Sequence, residues 1–248
     1  EVDFDKLASS MNRKTVDGAF KRTIDVPGSV VLVLTPEHSK FQHFLDRASH
    51  VLEQSAHLYD DKTKAFLYDS KNTPLVNPMY TYYGFDPKKD LLRNPFGVSA
   101  DRMIFSCRAL LLHPWYALRV QERFGINRSV PASARKYVLF LSRAKIRRPL
   151  LNETQLMTAI EQFLEARNQG EKLIKFSEIQ ARYRGLADLM HWINYNVIAM
   201  VGPHGGSFYN HRFAAQNTLL VEIMPKTRVF TGFFEEAYFL RQHYFMML

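Results

Sequence analysis

Three short stretches of this 248-residue chain combine residue types that handle phosphate and sugar. The first is Arg143-Ala144-Lys145-Ile146-Arg147-Arg148, which carries four cations and no acid. Guanidinium forks at a strand end suit a diphosphate through paired, charge-assisted hydrogen bonds. A solvated basic loop is the plainer alternative. The second is Gly202-Pro203-His204-Gly205-Gly206-Ser207. Its glycines let backbone approach a ligand. The start of a helix behind it offers free N–H groups and the positive end of a dipole. His204 could donate to a phosphate there, or cap a neighbour in an ordinary strand-to-helix turn. The stretch is neither a Walker A loop nor a GxGxxG fingerprint. The third is Glu222, alone in the apolar run Leu219-Leu220-Val221-Glu222-Ile223. A carboxylate in such a run needs a partner. Near a strand's carboxyl end it could accept from ribose hydroxyls; alternatively it faces water from an edge strand, or pairs with an arginine. Cations, an anion-binding helix start and a ribose acceptor are together what a uridine diphosphate requires.

The surrounding pattern must bring these stretches to one place. Tyr137–Leu141, Leu173–Phe176, Val197–Val201 and Leu219–Ile223 are short, mostly apolar runs of strand length. Between them, Leu156, Ile160, Phe163 and Leu164 mark the buried face of one helix, with Asn152 as its cap and Gln155 at the capping-box position. Leu186, Leu189, Met190 and Ile193 mark a second helix, and a third is expected from Phe208 to about Ala215. Strands alternating with helices imply a mostly parallel sheet with right-handed crossovers, and ligands of such sheets bind beyond the strands' carboxyl ends. Upstream, Val30–Leu34 reads as a buried strand. Phe41, Phe44, Leu45, Ala48, Val51 and Leu52 then recur at the spacing of one helix face. Met103–Phe105 suggests another strand and Trp115–Phe124 another helix, whereas residues 57 to 100, rich in Pro, Gly and Asn, suggest turns and short pieces. Asp60-Asp61 reads as a solvated turn. The polar stretch Gly125–Pro131 reads as a linker, which sets an N-terminal lobe at residues 1–130, a C-terminal lobe at 131–230 and a C-terminal helix at 231–248.

Composition narrows the classes. Hydrophobic residues make up 46% and charged residues 23%, as in an ordinary globular protein. No apolar run approaches the roughly 20 residues that span a bilayer. Glu1–Lys6 is too charged for a signal peptide, so the chain reads as an internal or processed piece. With Cys107 as its one cysteine, it has no intramolecular disulfide. The formal net charge of +9 favours anionic partners. A nucleic-acid binder would interleave aromatics with basic residues on one face; Phe41, Phe44, Phe140 and Phe163 fall at core spacings instead.

The stretches Phe140-Leu141-Ser142-Arg143 with Arg147, Arg148, Asn152 and Glu153, then Gly202–Asn210, then Val221–Pro225, resemble glycosyltransferase family sixty-one over about Lys136 to Pro225. Its members include extracellular O-linked N-acetylglucosamine transferases, protein O-mannose N-acetylglucosaminyltransferases and plant xylan xylosyltransferases. The resemblance implies an α/β, GT-B-like architecture: two Rossmann-like lobes with mostly parallel sheets and a cleft between them, the donor in the second. It implies an inverting transfer of a GlcNAc- or xylose-type sugar from a UDP-sugar to a glycan or glycoprotein hydroxyl, in the ER or Golgi lumen. By the same resemblance Arg143 with Arg147 or Arg148 would hold the diphosphate, and His204, Gly205, Gly206 and Ser207 would line it. Asn210 matches the family's Asn after the turn, and Glu222 would meet the ribose. The family usually has Gly-Ala where this chain has Gly205-Gly206, and the first lobe is short for the family. No DxD-like pair stands at a strand end, so neither a metal nor any other cofactor is expected. The general base is open among His113, Asp86 and Asp101 of the first lobe, each with a structural alternative. Two other readings stay open: a catalytically inactive relative kept as a structural subunit among other proteins, and a nucleic-acid-binding protein.

Overall fold

The structure is a computed structural model that describes residues 23–35, 38–67, 73–94, 97–106, 113–143, 149–183, 185–227 and 229–248. The chain divides into two compact units, residues 1–109 and 110–248, each built on a parallel sheet. The division falls before the segment 125–131 expected as the linker, so His113 and the helix Pro114–Arg123 belong to the second unit.

The first unit has strands β1 (Ile24–Val33), β2 (Lys64–Leu67), β3 (Leu91–Arg93) and β4 (Val98–Phe105), in the order β3-β2-β1-β4 with every pairing parallel. β1 begins earlier than its apolar run suggests, because it continues through Pro27-Gly28 with a register shift against β4 between Val26 and Ser29. Gly28 sits at φ +91, a left-handed value that favours glycine, and its N–H donates to Asp101 at 2.7 Å. The expected helix after β1 runs from Phe41 to Ser55, with one π-helical stretch at Phe44–Ala48. Its apolar stripe is buried at Phe44, Leu45, Ala48 and Leu52, while Val26, Val30 and Phe66 form a further core cluster of the unit. Leu34 ends outside the strand, exposed.

The second unit has β5 (Tyr137–Phe140), β6 (Lys172–Lys175), β7 (Val197–Pro203), β8 (Leu219–Ile223) and β9 (His243–Met247), all parallel, in the order β6-β5-β7-β8-β9. Four of these lie within two residues of the expected bounds. The fifth is a correction: the segment expected as one C-terminal helix is helical only over Gly232–Phe239, then becomes the edge strand β9. Leu156, Met157, Ile160 and Leu164 of the helix Glu153–Arg167 pack on Val138, Phe140, Ala199 and Val201. Phe163, expected in that stripe, is instead 60% exposed, with the Arg167 guanidinium 5.8 Å from its ring. The capping box does not form either. Asn152 holds the cap position at φ −108, ψ 31 with no side-chain bond to the helix, far from the extended conformation a capping side chain needs.

The strands' two ends differ in character. At the amino end, the buried Arg135 donates to Val197 O at 3.1 Å, Thr218 Oγ1 at 2.5 Å and Gln216 O at 2.8 Å. It thus ties together the segments that lead into β5, β7 and β8. At the carboxyl end β5 and β7 approach so closely that a Cβ on Gly202 would lie 2.6 Å from Leu141 O and 2.9 Å from Leu141 Cβ. Backbone cannot yield as a side-chain tip can. Gly202→Ala is therefore expected to destabilise the second unit by about 1–3 kcal/mol, seen as a lower denaturation midpoint at unchanged m-value.

Candidate functional site

Because β5, β7 and β8 are neighbours in the sheet, Arg143, the turn at His204 and Glu222 meet at their carboxyl ends. Phe140 is in register with Val201, and Gly202 and Pro203 with Glu222 and Ile223. Arg143 stands three residues past β5, and the turn His204–Gly205 directly follows β7. The Arg143 guanidinium crosses that turn: Nη1 donates to His204 O at 2.7 Å, and a Cβ on Gly205 would overlap the same nitrogen. Gly205 is extended at φ 165, so what its missing side chain supplies is room for Arg143. His204 N is itself held by Ile223 O at 2.9 Å.

Gly206–Phe213, expected as an α-helix from Phe208, is a 3-10 helix. Asn210 stabilises its start: Nδ2 donates to Ser207 O at 2.7 Å, while the buried Oδ1 has no partner among the described residues. Gly206 and Ser207 form its first turn, where backbone N–H groups are unused by the helix itself.

Glu222 differs most from its expected role. It is 0% exposed, and both of its oxygens are taken. Oε1 lies 2.5 Å from His204 Nδ1, and Oε2 accepts from the Tyr244 hydroxyl. The carboxylate is thus turned inward onto His204 and Tyr244, with one oxygen against each. Burial first, then the hydrogen bond to Glu222 and that carboxylate's charge, push the Tyr244 hydroxyl well above the ordinary tyrosine range. It therefore stays protonated and donates. The His204 ring is edged by Phe230 and Phe233, with centroids 5.7 and 5.9 Å away.

Behind the turn lies a second buried charged group. Arg212 Nε pairs with Glu236 Oε1, and His211 Nε2 lies 3.3 Å from Glu236 Oε2. His211 Nδ1 lies 2.8 Å from Gln242 Oε1, and Gln242 Nε2 donates to His211 O at 2.8 Å. Burial would raise the Glu236 carboxyl, but the charges and hydrogen bonds of Arg212 and His211 outweigh it and hold the group down to about 2. This cluster fastens the 3-10 segment to the helix Gly232–Phe239 and to Gln242, just ahead of β9. Neither it nor Tyr244 is evident from the sequence.

The other expected residues are placed as follows. Arg147 and Arg148 lie outside the described residues, as does Cys107. Asp86 caps a turn: its Oδ1 accepts from Lys88 N at 2.8 Å, and its Oδ2 lies 3.9 Å from Lys89 Nζ. Asp101 is the acceptor for Gly28. His113 precedes the helix Pro114–Arg123, exposed, with its ring 5.2 Å from Tyr116. Asp60 is an exposed turn residue, held below its usual carboxylate range chiefly by the Thr63 hydroxyl. Among the described residues no three His, Cys, Asp or Glu side chains are grouped so as to hold a metal ion. Nor is any described helix long and apolar enough to cross a membrane.

The family model described as Glycosyltransferase 61 matches residues 31–221, well over half of the chain and parts of both units. No curated protein matches the chain.

Proposed function

Since the chain belongs to the glycosyltransferase 61 family, we propose that it is an inverting transferase that moves a GlcNAc- or xylose-type sugar from a UDP-sugar to a protein or polysaccharide hydroxyl. The observation that carries this is the carboxyl end of β5, β7 and β8, where Arg143 clasps the turn that His204 opens and a buried carboxylate supports the histidine. Charge develops on the leaving diphosphate as the glycosidic bond breaks, and preorganised donors at that point lower the barrier. In this reading Arg143, the Gly206 and Ser207 amides and His204 Nε2 supply those donors, joined by Arg147 and Arg148. Nδ1 is committed to Glu222, and Nε2 has no partner among the described residues. The acceptor hydroxyl loses its proton to a base in the acceptor site, for which His113 and Asp86 stay candidates. The working compartment is the ER or Golgi lumen.

Two expected outcomes check this. A panel of UDP-sugars incubated with the protein should show UDP release for one or two donors, lost in His204→Ala. No release with any donor, from protein that still binds UDP, would favour an inactive structural relative. Because the donors are side chains and amides, turnover is expected to be unchanged in excess EDTA; a loss restored by Mn²⁺ or Mg²⁺ would show a metal-dependent donor site instead.

A further inference from the structure

Tyr244 lies on β9, next to β8, with Tyr244 in register with Leu220 and Met246 with Glu222. Successive side chains of a strand alternate between faces, so Tyr244 stands on the face that carries Glu222, one pair earlier. From there its hydroxyl reaches Oε2, the oxygen that His204 does not use. Glu222 is fully buried between these two donors. Phe234 meets the tyrosine ring edge-on at 5.8 Å and Phe230 and Phe233 flank the imidazole, so apolar rings border this hydrogen-bonded chain at both ends.

We propose that Tyr244 is a positioning residue of the diphosphate site, acting through Glu222 to fix the orientation and proton arrangement of His204. The proposal rests on the donor-site reading above and deepens it. A carboxylate that receives a proton at each oxygen acts only as acceptor, so the proton shared with His204 resides on Nδ1. Nε2 then faces the ligand and donates to a phosphate oxygen when it carries a proton as well, with Glu222 as counter-charge to the doubly protonated ring. Without the tyrosine hydroxyl, Oε2 is a buried acceptor with no donor. Glu222 is then no longer held as a pure acceptor. It can rotate, or carry a proton and donate to Nδ1, which reverses the direction of the hydrogen bond on which the imidazole depends.

The test combines a ligand-free readout with a binding readout on the full chain. In nitrogen-15 imidazole spectra without ligand, wild type should show His204 protonated at Nδ1, and Tyr244→Phe should lose that signature while melting within a few degrees of wild type. In calorimetry with UDP, Tyr244→Phe should bind about fivefold more weakly, the worth of one ordinary hydrogen bond. In the His204→Ala background the same substitution should have no further effect, the non-additivity of residues acting as one unit. Unchanged His204 spectra in Tyr244→Phe, or an additive loss in the double variant, would overturn the relay. Wild type that shows the Nδ1 signature yet binds no UDP would leave the relay standing and overturn the donor-site reading on which its function depends.

Discussion

Arg143→Ala is expected to weaken UDP binding by roughly 10- to 100-fold, the worth of charge-assisted hydrogen bonds of about 1.5–3 kcal/mol, with little change in melting temperature. Two losses combine. The guanidinium lies directly against the His204–Gly205 turn, and its bond to His204 O also holds the turn's shape. Gly205 has no side chain to fill the space vacated, so the turn gains freedom as well as losing charge. Arg143→Lys should recover only part of the affinity, because a point charge replaces a planar fork that, in the proposed site, serves the turn and a phosphate together. Calorimetric titration of the three proteins with UDP checks this. Equal affinity in all three would place the diphosphate elsewhere.

Glu236→Ala should be the most destabilising of the substitutions considered, by about 3–5 kcal/mol, because it strands the Arg212 and His211 side chains in a dry interior. Both are essentially buried, at 2% and 0% exposure. The pH dependence follows from the depressed carboxyl. A group held at about 2 when folded, against the ordinary glutamate value of 4.5, contributes stability that is complete above about 4.5. That contribution fades as pH falls toward 2. Urea unfolding from pH 7 to pH 2.5 should therefore show a steeper acid loss in wild type than in Glu236→Gln. Matching slopes would mean that the carboxyl does not carry its charge when folded.

Much of the second unit is legible along the chain because parallel strands of a covered sheet read as mostly apolar runs. Tyr137, Leu173, Val197 and Leu219 each open or enter such a run, and each run became a strand. What failed was short or interrupted. β2 and β3 are four and three residues long, too brief for periodicity, and lie within the Pro-, Gly- and Asn-rich stretch 57–100 that suggests turns and short pieces. β9 alternates exposed and half-buried positions from His243 to Met247, a two-residue period hidden by the helix just before it. Phe163 sits at the edge of its helix stripe, where spacing alone does not separate core from surface.

The candidate site divides the same way. Arg143, His204, Gly205 and Glu222 could be gathered from sequence because each follows or ends a recognisable strand, and parallel neighbours bring such ends together. The role of Glu222 could not. Whether a lone carboxylate faces a ribose or the interior depends on its partner, and that partner, Tyr244, lies 22 residues away on a strand the sequence did not reveal. His211, Arg212 and Glu236 were hidden for a related reason: a buried ion pair between a 3-10 segment and a later helix leaves no local pattern.

The most direct measurement is a calorimetric titration of the folded wild-type chain with UDP, repeated on His204→Ala. A nucleotide-diphosphate site at the β5, β7 and β8 strand ends predicts saturable one-to-one binding, weakened at least about tenfold in the variant. A well-folded wild type that takes up no UDP, or a variant that binds it equally well, would contradict that site.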